Sequence, residues 1–213
     1  MSAHFNPYVQ GWRMGNAQSG ANAWGSSSGE APSIFGALPG GSSSSSRGQG
    51  NIPPPPDATL FHITSFRPNI LNATVVDTRG RSCYRIVTDP SQPHSTAYYD
   101  AHRRTVAVVD WSAARPSVEV PGLAPRQSIC SWLRAMPDRA SRLMEVRGIA
   151  YIWVPEGENI SLYHAQSQSH RLARVYVIGD GVKVELSPHA MQAHLADVCI
   201  LSASIFLSGR NID

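Results

Sequence analysis

The chain has 213 residues and a formal net charge of +3, and this length allows one domain or one domain with a tail. So mild a charge argues against a nucleic-acid-binding protein, because such domains carry a strongly basic face. The three cysteines stand far apart without a CxxC spacing, which supports neither a zinc ribbon nor a redox pair. They predict reduced thiols in an intracellular protein; they are Cys83, Cys130 and Cys199.

The first 57 residues are rich in Gly, Ser and Pro, and they begin without the pattern of a secretory signal. Such a composition cannot bury enough apolar surface to offset the entropy of ordering. We therefore predict a disordered tail at residues 1–57 and a folded domain at residues 58–213. The run Pro53–Pro56 predicts a short polyproline II spacer. Aromatic residues of the tail are candidate contacts for a partner protein; they are Phe5, Tyr8, Trp12, Trp24 and Phe35.

From Ala58 onward, short β-rich runs alternate with turn signals. The first runs form predicted hairpins around Gly80 in the turn TRGR and around the segment AHRR. The later runs follow without a predicted helix between them, so the pattern indicates an antiparallel barrel or sandwich of about ten to twelve strands. In chain order the runs are TLFHIT, ILNATVVD, SCYRIVT, STAYYD, TVAVVDW, PSVEV, QSICSWL, SRLMEVR, IAYIWVP, NISLYHA, LARVYVI and VKVEL.

Ser187 and Pro188 predict the start of a helix, because Ser caps helix N-termini and Pro fits the first turn. The pattern continues to about residue 208, and it is apolar on all sides, as in a helix that is buried all round or lies in lipid. Its uncharged stretch, residues 198–209, would reach only about 18 Å, whereas a hydrocarbon core is about 30 Å thick. We therefore predict no transmembrane span and a mainly β fold, an antiparallel β-barrel that encloses the hydrophobic C-terminal helix.

Asp197 places a carboxylate inside this apolar helix. A buried carboxylate is costly unless it is paired. We expect it to pair with an inward-pointing barrel residue, such as an arginine, or to lie near the mouth of the barrel. A catalytic acid is the alternative, although no partner nucleophile supports it.

The order of several segments resembles a known group of proteins. These segments are TLFHI, NATVVDTRGRSCYRI, AVVDW, SWL, RGIAYIW and VELSPHAMQAHLADVCILSASIFL, within residues 58–208. They resemble an uncharacterised fungal domain family similar to the tubby C-terminal-like superfamily, which includes the phospholipid scramblases and the LURP-one-related proteins. The resemblance implies a barrel around a central helix. Tubby domains bind phosphoinositides through a basic patch, which this chain does not match residue by residue.

Of the 18 basic residues, all but Lys183 are arginines, and arginine suits bidentate binding of phosphate. Many stand at predicted turns. If these turns share one end of the barrel, they form an anion-binding rim for lipid headgroups; interleaved aspartates leave a solvated surface as the alternative. The candidate residues are Arg79, Arg81, Arg85, Arg103 and Arg104, and a second group contains Arg134, Arg139, Arg142 and Arg147.

The sequence contains no pattern typical of catalysis or metal binding. The eight histidines form no HxH or HExxH, and GxSxG, P-loop and GxGxxG motifs are absent. We therefore predict a non-enzymatic binding module without a cofactor or metal, located in the cytoplasm or at a membrane surface, that recognises anionic lipid headgroups. Two alternatives stay open: a protein-interaction scaffold that acts through its tail, and a scramblase-related lipid-handling protein.

Overall fold

Thirteen strands form a single antiparallel sheet in the computed structural model, which describes residues 57–66, 68–112, 115–138, 140–179 and 181–213. The predicted tail lies outside the described residues except for Asp57. The strands are β1 (Thr59–Thr64), β2 (Ala73–Asp77), β3 (Ser82–Thr88), β4 (Ser95–Asp100), β5 (Thr105–Asp110), β6 (Ser117–Val120), β7 (Ala124–Ser128), β8 (Leu133–Ala135), β9 (Arg142–Val146), β10 (Ile149–Glu156), β11 (Asn159–His164), β12 (Ser167–Ile178) and β13 (Gly181–Leu186).

The sheet consists of two runs of consecutive strands that meet at one ladder. Strands β1 to β7 follow one another in space, and so do β8 to β13. The ladder between β1 and β13 joins the two runs, with Thr59 opposite Leu186 and Ile63 opposite Val182. Among the described residues no ladder joins β7 to β8, so these two strands are the edges of the sheet.

The sheet curls round the helix α3 (Ala196–Leu207). Every residue from Val198 to Phe206 is buried, which is expected for a helix that is apolar on all sides. The ring of Phe206 meets that of Trp153 edge to face at 5.6 Å. The predicted mainly β fold around a hydrophobic C-terminal helix is thus confirmed.

The helix is shorter than predicted because it is interrupted. The expected helix at 188–208 consists of α2 (Pro188–Gln192) and α3, with Ser187 capping α2 through its side chain. His194 between them has a φ of 55°. The amide of Leu195 donates to the carbonyl of Ala190, and the amide of His194 donates to that of Met191. This is the Schellman pattern that ends a helix.

A four-residue helix replaces one predicted strand. The segment QSICSWL was expected to be extended, but β7 ends at Ser128 and α1 (Ile129–Trp132) follows. The Ser128 side chain accepts a hydrogen bond from the amide of Ser131, as an N-cap does. Buried Ile129 and Trp132 anchor α1, which packs against β6, β7, β8 and β9. The helix therefore bridges the two edges of the sheet.

Candidate functional site

Two clefts flank the start of α3, at the end of the sheet that we call the mouth. The mouth consists of the turns at residues 78–80, 101–103, 121–123 and 147–148 and of the first turn of α3. One cleft has a volume of about 560 Å³ and is lined by Tyr84, His102 and Asp197. The other, of about 310 Å³, is lined by Arg147, His194 and again Asp197. Asp197 therefore lines both clefts.

The partner of Asp197 is a tyrosine. The Tyr84 hydroxyl donates to Oδ1 of Asp197 at 2.8 Å, and both side chains are half-buried. Phe61 covers the Tyr84 ring edge to face, with centroids 5.9 Å apart. Burial and the neighbouring Asp197 carboxylate raise the pKa of Tyr84 far above its ordinary value, so the phenol stays a donor. Asp197 thus pairs with an inward-pointing strand residue and lies near the mouth, as expected, although the partner is a tyrosine and not an arginine.

The turn between β2 and β3 is tied together by one aspartate. Oδ1 of Asp77 accepts hydrogen bonds from the amides of Arg79 and Arg81 at 2.8 and 2.9 Å. Oδ2 accepts from Nε of Arg81 at 2.7 Å. The amide of Gly80 donates to the carbonyl of Asp77, and Gly80 has a φ of 75°. This is a three-residue hairpin loop that closes on a left-handed residue.

The turn between β4 and β5 repeats this arrangement contact for contact. Oδ1 of Asp100 accepts from the amides of His102 and Arg104 at 2.8 and 2.9 Å, and Oδ2 accepts from Nε of Arg104 at 2.7 Å. Arg103 takes the left-handed position with a φ of 60°. Tyr84 pairs with Asp100 across β3 and β4, so the two loops are neighbours at the mouth. The segments DTRGR and DAHRR are thus one structural motif used twice.

The motif divides the predicted arginines into two kinds. Arg81 and Arg104 each form a salt bridge of 2.7 Å with the aspartate of their own loop. Hydrogen bonds from the amide and side chain of Arg81 lower the pKa of Asp77, so this carboxylate is ionised at neutral pH. Arg79 and Arg103 are exposed at the loop tips, and the described residues place no carboxylate against them. These two arginines are available for an anion.

The other predicted arginines are dispersed. Arg85 points outward from the middle of β3, opposite Thr74 and Tyr99, and does not belong to the mouth. Arg134 is exposed on β8. Arg142 is buried and forms a two-pronged pair with Asp213, with both distances 2.7 Å. Arg139 lies outside the described residues. Among the described arginines of the second predicted group, only Arg147 lies at the mouth.

Three basic residues at the mouth have a left-handed backbone. The described non-glycine residues with positive φ are Ser65, Arg103, Arg147 and His194, and only Ser65 lies elsewhere. Such a conformation costs about 1 kcal/mol or more for a residue with a Cβ atom, and glycine would adopt it freely. Residues in such conformations cluster at functional sites. The mouth is therefore the candidate site.

The sequence contained a signal for this site that was not recognised. The spacing Asp-x-x-x-Arg occurs at 77–81 and at 100–104, each time between the two strands of a predicted hairpin, where it predicts a closed loop; a third occurrence, at 138–142, lies outside the mouth. Tyr84 and His194 carried no comparable signal, because their roles depend on contacts with distant segments.

Two further observations restrict the chemistry of the described residues. No group of three or more His, Cys, Asp and Glu side chains lies close enough together to hold a metal ion. None of the described helices has both the length and the apolar character needed to cross a membrane. The three cysteines are free thiols.

Comparison with known proteins identifies the family of this chain. No curated protein matches the chain. An X-ray structure of a protein from Arabidopsis thaliana is similar, with 11% sequence identity and a TM-score of 0.44, over 71% of this chain and 93% of that chain. A family model described as "Family of unknown function (DUF6593)" matches residues 68–211, and the chain therefore belongs to this family.

Proposed function

We propose that this protein is a non-enzymatic binding module whose mouth binds the phosphate groups of anionic membrane lipids. The observation that carries the proposal is the placement of Arg103, Arg147 and His194 in a left-handed backbone at one end of the sheet, where Arg147 and His194 line one of the two clefts. Glycine would be the more stable choice at each position. The presence of basic side chains at these positions, in spite of the conformational cost, supports a role for the side chains in binding.

The two Asp-x-x-x-Arg loops explain how the mouth presents charge. Asp77 and Asp100 bind the amides of their own loops, which holds the loop backbones in place. Arg79 and Arg103 then project from rigid neighbouring tips. A guanidinium group binds two phosphate oxygens at once, and less entropy is lost when its support is rigid. Arg81 and Arg104 are 72% and 75% exposed and add further donors at the rim.

We also propose that the domain is a tubby C-terminal-like domain, the superfamily that the sequence resembles. The sheet that curls round a buried C-terminal helix supports this assignment. In this chain arginines would take the place of the basic patch through which tubby domains bind phosphoinositides. A fungal source and a peripheral position at an intracellular membrane follow from the same resemblance and are part of the proposal.

Vesicle sedimentation of the full-length protein tests the proposal. We expect binding to vesicles that contain phosphatidylserine or phosphoinositide and not to pure phosphatidylcholine, with binding weakened by salt. A basic residue near an anionic surface contributes about 1 kcal/mol, so Arg79→Ala should weaken binding about fivefold. Arg115→Ala is the matched control, because Arg115 is exposed but lies between β5 and β6 at the opposite end.

Each result of these vesicle-binding experiments has a distinct meaning for the proposal. Equal binding to neutral vesicles, or equal losses for Arg79→Ala and Arg115→Ala, would overturn the proposal. Competition by soluble inositol phosphates would show that the headgroup alone is recognised and that the bilayer is not required.

A further inference from the structure

The Asp197 carboxylate has an oxygen available for a ligand. Its Oδ1 accepts from the Tyr84 hydroxyl at 2.8 Å, whereas its Oδ2 accepts no hydrogen bond from a described residue. None of the described Arg, Lys and His side chains forms a salt bridge with it. A half-buried carboxylate has lost part of its hydration. A hydrogen-bond donor that carries positive charge would therefore be stabilised by contact with Oδ2.

The other carboxylate in the larger cleft is already occupied. Asp100 lines this cleft of about 560 Å³ together with Asp197. Both oxygens of Asp100 accept hydrogen bonds within its own loop, from the amides of His102 and Arg104 and from Nε of Arg104. Among the described residues that line the cleft, Asp197 is thus the carboxylate that can accept from a ligand.

Two aromatic rings line the larger cleft together with Asp197. They belong to Phe61 and Tyr84, which meet edge to face. Aromatic rings attract cations, as a carboxylate does. A metal ion would require several further oxygen or nitrogen ligands, and the described part of the chain does not bring such a group together. The cleft therefore suits an organic cation with N–H donors, such as a primary ammonium group.

The rim of the same cleft carries the opposite charge. Arg104 lines the cleft and is 75% exposed, and Arg103 stands next to it at the loop tip. A ligand that reaches from the rim to Asp197 meets positive charge first and negative charge second. The headgroups of phosphatidylserine and phosphatidylethanolamine have the complementary order, since two carbons join the phosphate to a primary ammonium. Phosphatidylcholine differs, because its trimethylammonium group has no N–H to donate to Oδ2.

We propose that Asp197 binds the primary ammonium of an aminophospholipid headgroup, while Arg103 and Arg104 bind its phosphate. This inference rests on the proposed function, because the arginines of the mouth hold the anionic part of the headgroup. It adds a selectivity that arginines alone would not provide. Among lipids of equal charge, those with a primary ammonium bind more tightly, and Asp197 determines this preference.

Vesicle sedimentation of the full-length protein with lipids of matched charge tests the inference. Phosphatidylserine and phosphatidylglycerol, each diluted in phosphatidylcholine, carry the same net charge, but phosphatidylglycerol has hydroxyl donors and no ammonium. We expect about three- to fivefold tighter binding to phosphatidylserine, as for one partly exposed ion pair.

A second comparison separates the two aminophospholipids. It replaces phosphatidylcholine by phosphatidylethanolamine at a constant content of phosphatidylglycerol. Tighter binding would show that both headgroups are accepted. No change, together with a preference for phosphatidylserine in the first comparison, would assign the site to phosphatidylserine.

The variant Asp197→Asn removes the charge and keeps an oxygen that can accept from the Tyr84 hydroxyl. The free energy of unfolding checks that the fold is retained. We expect the variant to bind phosphatidylglycerol more tightly than the unmodified protein does, because a repelling carboxylate is gone, and to show no preference for phosphatidylserine. Glu158→Gln is the matched control, because Glu158 is exposed in the turn between β10 and β11, at the end opposite to the mouth. Its preference for phosphatidylserine should be unchanged.

The lipid comparisons distinguish a failure of this inference from a failure of the proposed function. Equal binding of the unmodified protein to phosphatidylserine and phosphatidylglycerol would overturn the inference and leave the proposed function intact. A preference for phosphatidylserine that persists in Asp197→Asn would also overturn the inference alone. No binding to any of the anionic vesicles would overturn both.

Discussion

Two tyrosines on neighbouring strands form hydrogen bonds with polar side chains of the helix α3. Tyr84 on β3 donates to Asp197, and Tyr98 on β4 forms a hydrogen bond of 2.7 Å with Ser204. Buried polar groups are stable only when they are satisfied in this way. The sequence identified Asp197 as costly but could not identify its partner, because Tyr84 is 113 residues away. On β3, Tyr84 lies on the same face as buried Ile86, which is the inner face of the sheet.

Tyr84→Phe should destabilise the fold by about 1–2 kcal/mol, because the half-buried Asp197 carboxylate loses its donor. The free energy of unfolding in denaturant measures this change. Tyr99→Phe is the control, since Tyr99 faces outward on β4. If the two variants are equally stable, the Tyr84 hydroxyl contributes nothing.

Alkaline pH should destabilise the protein through groups that burial keeps protonated. Burial raises the pKa of Tyr84 and of Tyr98 from 10.0, and that of Cys199 from 9.0. Each raised pKa contributes stability that is complete below the unfolded-state pKa and is lost as pH rises towards the folded-state pKa. The denaturant midpoint should thus be insensitive to these groups up to about pH 9 and fall above it.

The variants Tyr98→Phe and Cys199→Ala should each make this alkaline fall less steep. A midpoint that stays constant to about pH 11 would contradict the expectation.

At the level of elements, the two Asp-x-x-x-Arg loops share one backbone conformation but differ in the residue at the left-handed position. Gly80 and Arg103 occupy the same left-handed position in the two loops. The glycine satisfies the backbone, whereas the arginine adds a side chain at a conformational cost. Substitutions at these two positions therefore distinguish an effect on stability from an effect on binding.

Arg103→Gly should raise the free energy of unfolding by about 0.5–1 kcal/mol, because it relieves the left-handed strain. The same change should weaken binding to anionic vesicles about fivefold. Chemical denaturation and vesicle sedimentation on one preparation measure both effects.

Gly80→Ala is the reciprocal control. A Cβ atom at Gly80 would meet no atom within 4 Å, so only its φ of 75° opposes the change. Stability should fall by about 1 kcal/mol while vesicle binding is retained. Loss of stability in Arg103→Gly would contradict the assignment of strain.

Element prediction succeeded where local residues determine the structure and failed where packing does. The hairpins around Gly80 and Arg103 follow from their turn residues. Helix α1 was missed because four residues show no helical period, and Ile129 and Trp132 favour strands by propensity. The break in the C-terminal helix at His194 was missed because no Gly or Pro, the usual sequence signals for a helix end, stands at that position. Tertiary contacts at the edges and the mouth determine both features.

In the whole molecule, the inner face of the sheet and the helix α3 together form the hydrophobic core. Composition and pattern predicted this relation, since a helix that is apolar on every side needs apolar surroundings. The burial of Arg174 and Tyr176 was beyond prediction, because alternation on β12 predicts that these two side chains face water. The open seam between β7 and β8 was also beyond prediction, because it depends on how many strands fit round α3.

Phe206→Ala should destabilise the protein by about 3–5 kcal/mol, because it leaves a cavity beside Trp153 in a fully enclosed site. Leu207→Ala is the control, since Leu207 is only half-buried, and its cost should be clearly smaller. Thermal and denaturant unfolding of both variants give the comparison. Equal costs would show that the helix is not tightly enclosed.

The ladder between β1 and β13 has a consequence for how the protein folds. Every other ladder joins strands that are consecutive in sequence, whereas this one brings residues 59–63 to residues 182–186. Local hairpins form quickly, and closure of a long loop is slow and entropically costly. Before that closure the chain consists of two half-sheets with unpaired edges, which can pair with other copies. Refolding yield should therefore decline as protein concentration rises, even though the described strands of the native sheet leave only β7 and β8 as edges.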